Sequence, residues 1–236
     1  MYSSNLIWLE KWSKVTYDPI VGATHPEITS LYGGISNEPH ASIGMCSFLE
    51  PIDNFENGVK ILDYGCGAGV LANFISARLN NFTYYGLEPL SPHGIERITI
   101  GQRLLNDPRV TLGHIESHLE DVLKQPLDCI TLISVFTHLT IENIYKTLDR
   151  LIECFKISPK AKIVFSCFIG EEYSLSYPEP HINEDFYGYV TITQKQLDDY
   201  IKLHPELKLK RVCDFSATPI FIHNIFELSY EHEKML

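Results

Sequence analysis

Hydrophobic positions along the chain change period in a regular way, and each change marks an element. Val59-Lys60-Ile61-Leu62 is a short, mostly apolar run that closes on Asp63. After Gly65, Gly67 and Gly69, the residues Val70, Leu71, Phe74, Ile75 and Leu79 recur at the spacing of one helical face. The pattern predicts a strand, a tight turn and a helix over 59–79. Asn81–Glu88 is a second strand, rich in aromatics, and Val110–Leu112 a short third. Between them a helix over Gly94–Asn106 is poorly formed on its pattern, because Gly101 and the β-branched Ile98, Thr99 and Ile100 oppose it. Leu127–Val135 is almost continuously apolar and β-branched, as a strand buried on both faces should be. Ile141–Phe155 is an amphipathic helix with Ile144, Leu148, Leu151, Ile152 and Phe155 on one face, and Lys160–Ile169 is a fifth buried strand. Thr193 caps a helix that runs to Leu203. Leu207–Phe215 and Ile220–Leu228 are closing strands on either side of Ala217-Thr218-Pro219.

Other stretches interrupt this alternation. Ser3 or Ser4 caps a first helix with Leu6, Ile7, Leu9 and Trp12 on its apolar face, and His40–Leu49 is another helix before the first strand. Tyr17–Pro39 carries turn chemistry throughout. It is either a cover for a site, with Tyr17, His25, Glu27 and Tyr32 as its contacts, or a surface-packed connection. Gly170–Tyr189 holds Tyr173, Tyr177, His181, Asp185, Phe186 and Tyr187. Strands that alternate with helices predict an α/β sheet covered on both faces. No repeat, low-complexity tract or linker appears, so a single domain is expected, with parts at 1–58, 59–169, 170–192 and 193–236.

Composition narrows the classes. The 236 residues are 44% hydrophobic and 21% charged, which describes a folded globular chain rather than a disordered one. The formal net charge is −11, with 19 Lys and Arg, and the only basic cluster is Lys208, Lys210 and Arg211. Affinity for a phosphate backbone comes from clustered cations, so a nucleic-acid partner ranks low. The six cysteines include no C-x-x-C pair; neither zinc nor disulfide spacing is present. Cys66, Cys129, Cys154 and Cys167 fall in core elements, where cysteine behaves as a small buried hydrophobe. Met1–Trp12 lacks a signal-peptide pattern, and no apolar run approaches the ~18 residues that span a bilayer. A cytoplasmic location is the simplest fit.

The glycine turn has a chemical meaning. Glycines let the main chain approach a ligand closely, and the start of the following helix offers unpaired amide N–H groups. A third glycine needed for dinucleotides is replaced by Val70, so the G-x-G-x-x-G pattern is not met. Glu88 ends the second strand, 23 positions after Gly65, near the spacing at which such a unit delivers an acid to a ribose. A carboxylate accepts at two oxygens and donates nothing, which suits a vicinal diol.

Leu62-Asp63-Tyr64-Gly65-Cys66-Gly67-Ala68-Gly69 resembles the first motif of the class I S-adenosylmethionine-dependent methyltransferases, and Tyr85-Gly86-Leu87-Glu88 resembles their second. Leu127–Leu139, ending Ser134-Val135-Phe136-Thr137-His138-Leu139, is similar to their fourth strand. The resemblance covers Lys60 to Phe168 in the family's order. It implies a Rossmann-like doubly wound sheet of seven strands, mostly parallel with an antiparallel last strand. It also implies S-adenosyl-L-methionine as methyl donor and S-adenosyl-L-homocysteine as product. Asp63, Gly65, Cys66, Gly67 and Gly69 then hold the amino-acid end and Glu88 the ribose. Leu90 packs on the adenine. Glu116 accepts from the adenine amino group with the Ser117 amide facing the ring, unless Glu116 is simply a solvated residue of the next helix. Ser134 and Phe136 complete the cofactor set, and the insertion after the fifth strand shapes the acceptor pocket.

Transfer to a hydroxyl needs a base. His138, three positions past Val135, titrates near neutrality and is the first candidate; the alternative is that it caps the next helix or braces the pocket. His181 and Asp185 in the insertion, and His25, are further candidates. His114, His118, His204, His223 and His232 are expected to be structural or exposed. No carboxylate pair near the fourth strand suggests a metal. The resulting expectation is O-methylation of a small polar molecule, a sugar among the options, by a monomer or homodimer. The alternatives are a catalytically silent cofactor-binding partner protein and a nucleotide-dependent oxidoreductase on the same fold.

Overall fold

The computed structural model of the chain describes residues 17–18, 22–23, 58–76, 79–105, 107–176, 189–218 and 221–231. The expected first helix, the helix at His40–Leu49, most of the turn-rich segment before Pro39, and residues 177–188 of the insertion lie outside them. Two compact units divide the chain, Met1–Val122 and Leu123–Leu236.

In the first unit, strands β1 (Val59–Tyr64), β2 (Phe82–Glu88) and β3 (Val110–His114) run parallel, with β2 in the middle. Asp63 lies opposite Gly86 and Glu88 opposite His114, so the carboxyl ends of all three strands share one edge. Helix α1 (Val70–Ser76) turns Leu71, Ala72 and Ile75 inward; burial of each large aliphatic is worth about 1.5–3 kcal/mol. Beyond its end at Ser76, residues 77–78 of the expected helix lie outside the described residues, and the Leu79 N–H donates to the Ile75 carbonyl at 2.8 Å, a bond of helical spacing. Gly22–Ala23 pairs antiparallel with Tyr17–Asp18 and lies against α1.

Helix α2 (Pro92–Leu104) is fully formed, contrary to its weak pattern. Ser91 caps it, its Oγ accepting the Gly94 N–H at 3.0 Å. Pro92 follows in the first turn, where its missing N–H costs nothing. Gly101 also has a tertiary reason. A Cβ there would stand 2.6 Å from the Ala68 carbonyl oxygen and 2.6 Å from Leu112 Cδ1. The residue that weakens the isolated helix is what lets it lie against the glycine turn. Helix α3 (Ile115–Leu123) begins directly at the end of β3, with Ile115, Leu119 and Val122 inward.

In the second unit, β4 (Cys129–Leu132) pairs parallel with β5 (Lys162–Gly170). The carboxyl end of β5 also pairs parallel with β7 (Tyr189–Thr193), and β6 (Ser174–Ser176) pairs antiparallel with β7. On the other side β9 (Phe221–Tyr230) runs antiparallel to β5, Asn224 opposite Cys167, and β8 (Leu207–Thr218) antiparallel to β9. The β8 ladder slips between Arg211 and Cys213 and again between Ser216 and Thr218.

The fourth strand ends at Leu132 rather than Val135. Ser134 adopts φ 60°, a left-handed conformation that a strand cannot continue, and Phe136–His138 forms a 3₁₀ turn. Helix α4 (Ile141–Leu151) buries Ile144, Leu148 and Leu151, then tightens into a 3₁₀ turn over Ile152–Lys156. Helix α5 (Gln194–Leu203) opens on the expected Thr193 cap, with a reciprocal bond from the Thr193 N–H to Gln196 Oε1 at 2.9 Å. No helix among the described residues is long and apolar enough to cross a membrane.

Candidate functional site

The glycine turn sits at the shared carboxyl edge of the first unit, where parallel sheets offer their ligand sites. Gly65, Gly67 and Gly69 all have positive φ. The turn's amides are already engaged. The Gly65 and Cys66 N–H groups both donate to the Leu87 carbonyl, at 2.7 and 3.2 Å, and Gly69 N–H to the Cys66 carbonyl at 3.0 Å. The Gly67 N–H donates to Glu88 Oε2 at 2.9 Å. These bonds fasten the turn to the end of β2, so its N–H groups organise the site's floor.

Two carboxylates lie in that floor. Asp63, one residue before the end of β1, is buried; Oδ2 accepts the hydroxyl of the fully buried Tyr84. Burial first, and the Asp63 charge second, push the Tyr84 phenol well above its ordinary range, so it stays a donor. The Glu88 side chain is 4% exposed, and Oε1 is ion-paired to Arg97 Nη1 from α2. A buried carboxylate is costly unless its oxygens are satisfied, and here each oxygen has a donor. Cys66 in the turn is buried as well; burial, then the Asp63 and Glu88 charges, hold its thiol well above its ordinary range.

Leu90 and Glu116, both expected at an adenine, are brought together, since the Leu90 N–H donates to Glu116 Oε2 at 2.8 Å. Leu90 itself is 53% exposed, an apolar side chain presented beside the polar edge. Ser117 is exposed in the first turn of α3. Tyr84 and Arg97 were missed from sequence. Tyr84 lies in an aromatic run that reads only as strand, and Arg97 reaches Glu88 from nine positions away.

The remaining candidates belong to the second unit. The Ser134 N–H donates to Ser166 Oγ at 2.8 Å, and its carbonyl accepts Thr137 Oγ1–H at 2.8 Å. Phe136 is 0% exposed and packs on Phe165, ring centroids 5.0 Å apart. His138 is half-buried, with its ring centroid 5.8 Å from that of Tyr189. Tyr189 in turn meets Phe168 edge-on, and Phe168 meets His223 at 4.7 Å. His223, expected to be structural or exposed, is buried with Ser166 Oγ 3.4 Å from Nδ1. Burial and the neighbouring His138 charge lower it to about 4. His181, Asp185 and His25 lie outside the described residues.

The residues of the first unit fit a nucleoside. Among the described residues nothing lies within 4 Å of where a Cβ on Gly67 would stand, so within them the turn borders open space beside a carboxylate. That carboxylate, having about four acceptor positions, keeps two after its donors among the described residues, Gly67 and Arg97, are counted.

Residues 41–180 match the family model described as a methyltransferase domain. No curated protein matches the chain by sequence at a significant level. Among solved structures, the chain is similar to an amino pentose methyltransferase of calicheamicin biosynthesis from Micromonospora echinaspora, bound to S-adenosylmethionine. The identity there is 13%, the TM-score 0.57, and 86% of this chain and 96% of that one are covered. The N-terminal domain of EvdMO1, solved with S-adenosylhomocysteine and D-fucose, is similar at 14% identity and TM-score 0.53, over 84% and 85%. Magnesium protoporphyrin IX methyltransferase from Synechocystis PCC 6803, with bound S-adenosylmethionine, gives 14%, 0.53, and 80% and 78%. At such identities the likeness establishes the fold, a Rossmann-like, mostly parallel sheet with an antiparallel strand at one side.

Proposed function

The chain belongs to the methyltransferase domain family, and on that premise we propose that it transfers a methyl group from S-adenosylmethionine to a hydroxyl of a small polar molecule. The observation that carries the cofactor reading is the pairing of the Gly67 turn with Glu88, open space beside a carboxylate with two acceptor positions left. The cofactor supplies, when bound, a methyl group already activated on a sulfonium.

The chain's own residues then divide the work. Glu88 accepts the ribose hydroxyls, and the Gly65–Gly69 turn, with Cys66 and Asp63 in its floor, carries the amino-acid end. Leu90 packs on the adenine, Glu116 and Ser117 address its edge, and Ser134 and Phe136 complete the cofactor set. Holding two reactants in line is worth about 7–11 kcal/mol of barrier. His138 takes the acceptor's hydroxyl proton, a contribution of about 10²–10⁴-fold; His181 and Asp185 serve the acceptor pocket. A sugar or similar metabolite is the acceptor class favoured by the tyrosines, histidines and carboxylates of the insertion. An amino pentose methyltransferase among the similar structures supports the same class. We place the activity in the cytoplasm.

Calorimetric titration with S-adenosylhomocysteine tests the cofactor. Micromolar binding is expected, and none at millimolar concentration would refute the reading. For the base, His138→Ala should abolish turnover and leave that affinity unchanged; loss of both together would make His138 structural.

A further inference from the structure

The Glu88 carboxylate is held from both sides by groups of different origin. Gly67, the middle glycine of the turn, donates its N–H to Oε2 at 2.9 Å, and Arg97 on α2 donates from Nη1 to Oε1. The terminal torsion of a glutamate is broad and roughly two-fold, so a single bond leaves the carboxylate plane poorly defined. Two donors on two oxygens fix it. Of about four acceptor positions on a carboxylate, these donors use two, and the remaining pair equals the number of hydroxyls on a vicinal diol. Arg97 is also the cation that compensates a carboxylate whose side chain is only 4% exposed, while its own side chain keeps 32% exposure. Its position follows from local structure, because the Ser91 cap and Pro92 start α2 directly after β2.

We propose that Arg97 is a positioning residue for ribose recognition, acting through Glu88 to aim the two remaining acceptor positions at the 2′- and 3′-hydroxyls. The inference rests on the S-adenosylmethionine reading above. It predicts more than loss of affinity: the loss must depend on the ribose hydroxyls. A guanidinium supplies a planar fork at fixed charge, whereas a lysine supplies the charge alone.

The test is calorimetric titration of the full chain with S-adenosylhomocysteine and with its 2′-deoxyribose counterpart. Wild type, Arg97→Gln, Arg97→Lys, Glu88→Gln and the double variant Glu88→Gln/Arg97→Gln are compared, with circular dichroism to verify folding. Wild type should prefer the ribose ligand by about tenfold or more, the usual effect of one hydrogen bond to a charged group. Arg97→Gln should weaken S-adenosylhomocysteine by about tenfold and the 2′-deoxy ligand by less than about twofold. Arg97→Lys should recover part of that loss, and the double variant should bind no worse than Glu88→Gln, as residues acting in series do. Equal loss for both ligands, or none, would overturn the inference. If Arg97→Gln does not fold, the ligand dependence of Arg97→Lys decides the matter by the same criterion. Wild type that binds both ligands equally would remove the ribose role of Glu88 and with it this inference, leaving the cofactor reading intact. Wild type that binds neither would remove both.

Discussion

His223 is buried on β9, with Ser166 Oγ 3.4 Å from its Nδ1 and the ring of Phe168 against it. His138 in the 3₁₀ turn adds its charge to the effect of burial, and the imidazole falls from 6.5 to about 4. Because the folded pKa lies below the unfolded one, the stabilisation is complete above pH 6.5. It is lost as the unfolded chain takes up a proton that the folded chain refuses, down to about pH 4. The window corresponds to roughly 3 kcal/mol. Urea midpoints at pH 7.5, 5.5 and 4.5 should therefore fall more steeply for wild type than for His223→Asn; parallel declines would mean that His223 titrates normally. Nothing in the neighbourhood of His223 in sequence announces its burial. It follows from the β9 register, Asn224 opposite Cys167, which pairs residues 57 apart. By contrast the glycine turn at Gly65, Gly67 and Gly69 and the place of Glu88 at a strand end could be read from sequence, because they depend on local backbone freedom and on a fixed strand–helix–strand distance.

At the level of elements, α2 separates intrinsic from tertiary preference. Gly101→Ala should gain about 1 kcal/mol of helix propensity. Its Cβ would meet the Ala68 carbonyl at 2.6 Å, and a main-chain atom in a fastened turn cannot move aside as a side-chain tip can. Overpacking of this kind costs about 1–3 kcal/mol. The expected outcome is net destabilisation by about 1 kcal/mol in urea titration, with weaker S-adenosylhomocysteine binding because Ala68 lies within the turn. A stabilised variant would show that the turn gives way. Element identity was legible where a local rule governs: the Thr193 capping box, the apolar face of Ile144, Leu148 and Leu151, and the buried run of β5. Boundaries were not legible where a single residue departs from its type, as Ser134 does at φ 60° in closing β4 early. A left-handed serine costs roughly 1–2 kcal/mol relative to its preferred conformations. Its N–H bond to Ser166 and its carbonyl bond from Thr137 hold it there.

On the scale of the whole molecule, four of the six cysteines occupy both units' cores, Cys66 in the first and Cys129, Cys154 and Cys167 in the second. Burial pushes Cys154 up to about 12, and it pushes Cys66 and Cys167 well above their usual range. The thiolate is the reactive form. In native protein at pH 8 a thiol-specific disulfide reagent should therefore modify half-buried Cys213, and these four only after urea is added, with peptide mass mapping to separate Cys46. Modification of any of the four at the rate of Cys213 would contradict the packing described.

Strand β8 carries a different consequence. It forms the outer side of the second unit's sheet, with Lys208, Lys210 and Arg211 exposed along it and its ladder slipping twice. A strand from another molecule would find cations in its path and no continuous register to follow. The same irregularities that look like imperfect pairing within one copy make this edge a poor seed for cross-β growth among many.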